Sequence, residues 1–431
     1  MRLEIESIDI KRIKVGTKKP AADRTLFVDL EEIKKTILSD KMIKSVEIDI
    51  AYPGEKTRIV NVVDIIQPRC KISEDDSDFP GYLGKMTTAG SGKTRSLRGV
   101  IVVLSNSHTH ATYGSDRPIK DMFGDGAEKT RYKGMIAVNV HPIPYDDWDE
   151  LDFSYVVKRA GLKTAVYLAR AAEGLSVDET EIYDLDMANL PKSDLPRIVY
   201  YYQYLNPQYD YMSLPEPVLY GAKTGGQFPN IIHPNECLDG GIVNPYSGIQ
   251  FGGGSTYNIQ NNAIIKELYK RHGKELVFAG VVIGVTTVDS VERERRMMMT
   301  INLITNVLRV DGVVCSQVLG GAARLEPETV AVRCEKLGIK SVLYTMPYGQ
   351  FPLSSTILSR DKSLSAIVNT GNCLEEMRLG KADKILGGSP DTPIAFEPKR
   401  PYKVSDESIV TKGVCGRFDL LGGTKIMAAE Y

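Results

Sequence analysis

From Asn261 onward the chain alternates strand and helix patterns regularly, and this limits the available folds more than any other feature of the sequence. Helical spacing over Asn261–His272 gives way to the apolar run Leu276–Ile283. Helical spacing over 288–310 leads to Gly312–Gln317, and over 326–337 to Lys340–Thr345. Shorter strand patterns follow at Ser365–Thr370 and Lys384–Gly387. Such alternation predicts a parallel sheet covered on both faces, with ligand-binding groups at the carboxyl ends of its strands. The expected fold is therefore α/β, with a doubly wound, mostly parallel-sheet, Rossmann-like domain over 261–431.

The first half reads differently. Leu3–Ile13 and Val46–Ile50 alternate apolar with polar residues, whereas Gly99–Leu104 and Gly134–Val140 are continuous apolar runs of the kind buried strands show. Helical spacing appears at Asp29–Ser39 and over 151–172, and Arg197-Ile-Val-Tyr-Tyr-Tyr reads as a strand. A mixed α/β domain over 1–201 is expected. Between the halves, 202–260 forms a Gly/Pro/Tyr-rich junction without a steady period, a length at which irregular segments are usually functional or linkers. At 431 residues, two cores can be buried.

Charge is balanced, 54 basic against 55 acidic residues, and no Lys/Arg block stands out, which argues against a nucleic-acid partner. No apolar stretch reaches membrane-spanning length, and Met1-Arg-Leu-Glu-Ile-Glu-Ser has no apolar signal region, so a cytoplasmic location is expected. The six cysteines form no CxxC pair, which disfavours a disulfide framework or a zinc site.

Several short motifs invite chemistry and have plainer readings. Gly90-Ser-Gly92-Lys93-Thr94 resembles the end of a phosphate-binding loop, but position 87 is threonine and a strand follows instead of a helix. Asp125 and Glu128 read as a solvated loop, and Glu292-Arg-Glu-Arg-Arg296 as the polar start of a helix with i,i+3 and i,i+4 pairs. His108-Thr-His110 reads as a polar loop, and Gly320-Gly321 as a strand-to-helix turn that could equally hold an anion. Asn372-Cys373 lies near a helix start, where a thiol can be activated, but burial is the commoner outcome.

Across the junction the chain runs Asn235-Glu-Cys237-Leu-Asp239-Gly240 to Pro245-Tyr246-Ser247, then enters Gln260-Asn-Asn262 through Lys274. With Tyr52-Pro-Gly-Glu55, Ile66-Gln-Pro-Arg69, Ala160–Leu168 and the closing Gly423–Tyr431, this order of segments resembles one family. It is the substrate-specific component B of the anaerobic glycine, sarcosine and betaine reductases, made as a proprotein of alpha and beta subunits.

The resemblance implies reductive C–N cleavage of glycine or an N-methylated glycine such as sarcosine or betaine, leading to acetyl phosphate with partner components. It also implies a thiol- or selenocysteine-bearing partner subunit and an oligomeric assembly. Family precursors cut themselves before a cysteine that becomes a pyruvoyl group. Here Tyr246-Ser247 occupies the place of that asparagine–cysteine pair, so Ser247 is the candidate pyruvoyl precursor, with cleavage after Tyr246. Serine can perform this chemistry, although Pro245 restricts the turn before it. Cys237 is the alternative nucleophile, or an apolar filler. Two other readings stay open: a divergent relative of D-proline reductase acting on another amine, and an unprocessed scaffold or substrate-binding paralogue.

Overall fold

A computed structural model describes residues 1–16, 21–73, 77–107, 118–146, 150–204, 217–224, 227–244, 254–287, 289–317, 322–345, 363–371, 375–397, 400–417, 419–423 and 427–430. Its largest sheet has seven strands. Their spatial order is Asn230–Ile232, Val277–Val285, Arg197–Tyr204, Gly312–Ser316, Lys340–Thr345, Ala366–Asn369 and Met427–Glu430. The five inner strands are parallel and the two edges antiparallel. In chain order the parallel strands lie 2-1-3-4-5, so the winding direction reverses beside Arg197–Tyr204. Ligands bind at such reversal points in open α/β sheets.

Period-two alternation along that central strand serves both faces. Tyr200, Tyr202 and Tyr204 pack with Ile264, Ile265 and Leu268 of helix Ala263–Arg271. Val199 and Tyr201 pack on the opposite side with Met297 of helix Ser290–Asn302 and Val330 and Ala331 of helix Ala322–Lys336. The expected doubly wound sheet is present. Helix Ser290–Asn302 continues into a π-helical turn, Leu303–Leu308, which Arg309 ends in a left-handed conformation at φ 53°.

The N-terminal half contains two four-stranded sheets. One orders Glu179–Asp184, Arg2–Asp9, Gly92–Arg98 and Arg69–Lys71; the other orders Ile43–Ala51, Ile136–Pro144, Val100–Ser105 and Val62–Ile66. Helix Glu150–Ala171 buries Val157, Ala160, Leu168 and Ala169 against them. Gly161 permits the close approach, because a Cβ there would stand 2.9 Å from Ile66. Lys93 lies within strand Gly92–Arg98, as the plain reading of the Gly-Lys-Thr motif requires.

Three features differ from the sequence reading. The central strand Arg197–Tyr204 comes from before the junction, so the expected boundary after residue 201 falls inside it. The 202–260 segment contains an edge strand, Asn230–Ile232, and helices Pro234–Leu238 and Thr256–Gln260, elements too short to display a period. Lys384–Leu386 is a strand, but it pairs with Thr57–Ile59 and not with the parallel sheet. There the chain returns to the first half, burying Leu379, Ile394, Tyr402 and Val414 with Val60 and Ile119. No helix among the described residues is long and apolar enough to cross a membrane.

Candidate functional site

Within the junction, the chain on either side of 245–253 is gripped by one N-terminal segment, 64–71. On the upstream side, His233 caps helix Pro234–Leu238 in a reciprocal capping box with Glu236, and Pro234 occupies the first turn, where its missing N–H costs nothing. On the downstream side, Ser255 caps helix Thr256–Gln260. A helix of this length leaves its last carbonyls without internal partners. The fully buried Arg69 guanidinium supplies both helices, donating to the Leu238 carbonyl and, at 3.0 Å, to the Gln260 carbonyl. Burial pulls the Arg69 pKa down, opposed by nearby Asp239.

Asp239 follows the first helix and accepts from Lys71 Nζ at 2.5 Å, the Gly90 amide at 2.9 Å and Thr94 Oγ1 at 2.6 Å. Gly90 has φ +100°, and a Cβ there would come 2.7 Å from Asn235. Asp64 serves the second helix. It accepts from the Thr256 amide at 2.8 Å, Thr256 Oγ1 at 2.5 Å and Lys158 Nζ at 2.8 Å. Thr256 Oγ1 in turn accepts the Asn244 amide at 3.0 Å. Residues 244 and 256, on either side of 245–253, are thus tied through one hydroxyl. Tyr132 adds hydrogen bonds to Ser255 and Asn258, both at 2.7 Å.

Ser247, Tyr246 and Pro245 themselves lie outside the described residues, as do Asn372, Cys373, His108, His110, Gly320 and Gly321. Cys237 is fully buried among Tyr200, Tyr202 and Leu238, and burial pushes its thiol pKa up. Its surroundings are those of an apolar filler.

A second polar layer lies where the parallel strands end. Gln203, Thr286, Thr287, Ser316, Gln317 and Thr345 are all buried there. Tyr200 and Ser316 hydroxyls meet at 2.6 Å across the reversal point, and Thr345 Oγ1 donates to Gln317 Oε1 at 3.1 Å. Glu326, fully buried, receives Tyr201 OH at 2.8 Å, and desolvation raises its carboxyl pKa. Arg296 is also buried, so the Arg-rich run is not wholly a solvated face: Arg295 pairs with Glu292 at 2.6 Å, while Arg296 points inward. The helical period carries one residue of the run onto the covered side. Asp125 and Glu128 do sit at the surface, beside Lys129 and Lys133.

A cleft of about 820 Å³ opens between strand Glu179–Asp184 and helix Ala263–Arg271. Tyr257 and Asn261, a few residues after 245–253, line it together with Tyr183. Glu181 pairs with Lys266 at 3.0 Å on its wall, and Arg131 lies 5.6 Å from the Tyr257 ring centre. Side chains of both signs therefore border one space, Lys266 paired with Glu181 and Arg131 with Asp419. Among the described residues, no group of three or more His, Cys, Asp or Glu could hold a metal ion.

The model of the glycine/sarcosine/betaine reductase component B subunits matches residues 1–396. The chain belongs to this component B family. It is thus a member of an oxidoreductase family. It is 33% identical over 397 residues to the glycine reductase complex component B subunits alpha and beta of Acetoanaerobium sticklandii, covering 90% of this chain and 89% of the relative. The protein of the same description from Peptoclostridium acidaminophilum matches at the same identity and coverage. The sarcosine reductase complex component B subunit alpha of Peptoclostridium acidaminophilum is 28% identical over 395 residues, covering 90% of this chain and 89% of the relative. No solved structure matches significantly.

The sequence signalled component B through the junction, yet it did not reveal the residues that hold the junction in place. Arg69 is visible only as the end of the Ile66-Gln-Pro-Arg69 segment, and nothing local marks Asp64 or Glu326 as buried charges, or Lys71 as the partner of one. Their partners lie far away in the chain, 192 residues in the case of Asp64 and Thr256.

Proposed function

We propose that this chain is the substrate-handling component B subunit of an anaerobic amino-acid reductase complex, acting on glycine or an N-methylated glycine. A thiol- or selenocysteine-bearing partner would attack the substrate's methylene carbon, and further components would carry the product on to acetyl phosphate. The observation that carries this reading is the clamped junction. Asp64, Arg69 and Lys71 hold both flanks of 245–253 in a family whose glycine reductase relatives are described as alpha and beta subunits together.

Ser247 fits the chemistry of the family's cofactor, since a hydroxyl can add to the preceding carbonyl and later leave as an ester does. Holding residues 244 and 256 together limits how far the segment between them can stray, and such restraint favours intramolecular attack. A carbonyl formed at Ser247 would withdraw electrons from the C–N bond of an amine joined to it. The cleft beside Tyr257 and Asn261 supplies Lys266 and Arg131 for a carboxylate, and Glu181 for an ammonium group.

Intact mass of the purified protein tests the processing step. Cleavage after Tyr246 gives pieces of 1–246 and 247–431, the second blocked at its N-terminus and reactive with phenylhydrazine. Ser247→Ala gives one full-length, unreactive chain. A single full-length species from the unmodified sequence would remove the carbonyl at Ser247 and leave the unprocessed reading. The amine is identified separately, by assaying the reconstituted complex with glycine, sarcosine and betaine.

A further inference from the structure

Far from the junction in sequence, the parallel pair Val100–Ser105 and Ile136–Pro144 carries a chain of hydrogen bonds with no part in the function above. His141 stands at its centre, buried at 5% exposure. Its Nδ1 lies 3.0 Å from Ser105 Oγ, and its Nε2 lies 3.1 Å from Ser107 Oγ. Ser105 is fully buried and also receives Asn139 Nδ2 at 2.9 Å, while the same amide donates to the Val103 carbonyl at 3.0 Å. Gly387 closes over Ser105 from the returning chain: its φ is +74°, and a Cβ there would lie 3.0 Å from Ser105 Oγ. The imidazole is thus held from one nitrogen by a packed serine and presents the other to a second serine.

Ser107 differs from Ser105. It is half-buried and lies two residues beyond the carboxyl end of its strand. A hydroxyl within hydrogen-bond reach of an imidazole that a third group orients is the arrangement by which serine nucleophiles are activated. On the neighbouring antiparallel strand, Glu47 stands directly opposite His141, and Asp49 opposite Asn139. Glu47 is exposed. Asp49 pairs with Lys384 Nζ at 2.8 Å, whereas the Glu47 carboxylate beside His141 disfavours an anionic substrate.

We propose that Ser107 and His141 form a second, acyl-transfer site that takes a small uncharged acyl group from an ester or thioester. Ser107 Oγ forms a bond to the acyl carbon while its proton passes to His141 Nε2. The bond from acyl carbon to the leaving oxygen or sulfur then breaks, and His141 returns the proton to that leaving group. Water attacks the acyl-serine in the same way, releasing the carboxylic acid and restoring Ser107. No oxidant or reductant is required. Ser105 is a positioning residue, acting through the ring it holds.

The test uses the full-length protein and a fluorophosphonate probe. Attack by Ser107 forms an O–P bond and expels fluoride, so peptide mapping should find the mass increment on the peptide containing Ser107. Ser107→Ala should abolish it. His141→Asn should slow labelling by about a hundredfold, in the range general-base removal costs. Ser105→Ala should lower the maximal labelling rate without changing probe affinity, a split that loss of structure would not produce. Unchanged melting temperatures establish that the variants fold, and Ser107→Thr provides a second variant if alanine disturbs the loop. An unlabelled Ser107 in the native protein would overturn the proposal, as would labelling that His141→Asn leaves at the wild-type rate.

Discussion

Thr256 gives both its amide and its hydroxyl to a single carboxylate, that of Asp64, at 2.8 and 2.5 Å. Lys158 completes the arrangement from helix Glu150–Ala171 at 2.8 Å, and all three side chains are buried. The start of the downstream helix is therefore attached to the N-terminal core by two hydrogen bonds to a carboxylate whose charge Lys158 balances.

Removing that carboxylate's charge should be costly. Asp64→Asn leaves the Lys158 ammonium buried without its counter-ion, a change expected to destabilise by about 3–5 kcal/mol. Urea unfolding would record it as a lower midpoint at unchanged slope. Asp64→Asn combined with Lys158→Met should recover part of the loss, because the stranded charge is then gone. A double variant no more stable than the single one would refute this account.

Arg69 supplies a second expectation. Arg69→Met strands the Leu238 and Gln260 carbonyls, at roughly 1–3 kcal/mol for each. Arg69→Lys should not restore stability, since an ammonium has no planar fork to span both helix ends. The same variants should slow or abolish any chain cleavage at the junction, measured by intact mass over time. Cleavage at the normal rate in a folded Arg69→Met protein would separate the clamp from processing.

Lys120 makes stability depend on pH in a defined direction. It is buried, donates to the Asp121 carbonyl at 2.6 Å, and burial lowers its pKa to about 8. In the unfolded chain the value is ~10.4. Below about pH 8 both states hold the proton, and the cost of burying the charge is fully present. Between there and ~10.4 the folded state releases the proton first, so stability from this group rises with pH. Lys120→Met should remove that rise and stabilise the protein at neutral pH, by an amount on the order of 3 kcal/mol. Thermal melts across pH 7 to 10 would show parallel curves for the two proteins if the assignment is wrong.

Elements with a sustained period were readable in the sequence. Helix Glu150–Ala171 and strands Val100–Ser105 and Val277–Val285 fall within a few residues of their expected places. Helix Ala322–Lys336 begins four residues before the expected 326, which puts Pro327 inside it. The neighbours of each strand were much less readable. Nothing in Arg197-Ile-Val-Tyr-Tyr-Tyr says that it lies between Val277–Val285 and Gly312–Ser316, because parallel pairing leaves no local turn to announce it. The same limit hid Lys384–Leu386, whose partner Thr57–Ile59 lies more than three hundred residues back. In the junction, composition pointed to a functional segment, while the charges that hold it were masked by ordinary strand patterns around Asp64 and Arg69.

The position of Arg197–Tyr204 has a consequence for any protein cut after Tyr246. Its flanking strands would then belong to the other polypeptide, and Lys384–Leu386 of that second piece would still be threaded beside Thr57–Ile59 of the first. Neither fragment would own the whole seven-stranded sheet. Each would be the other's missing interior, so the mature molecule would behave as a single cooperative body despite having two backbones. Mixing fragments made separately would require them to fold together, not to dock.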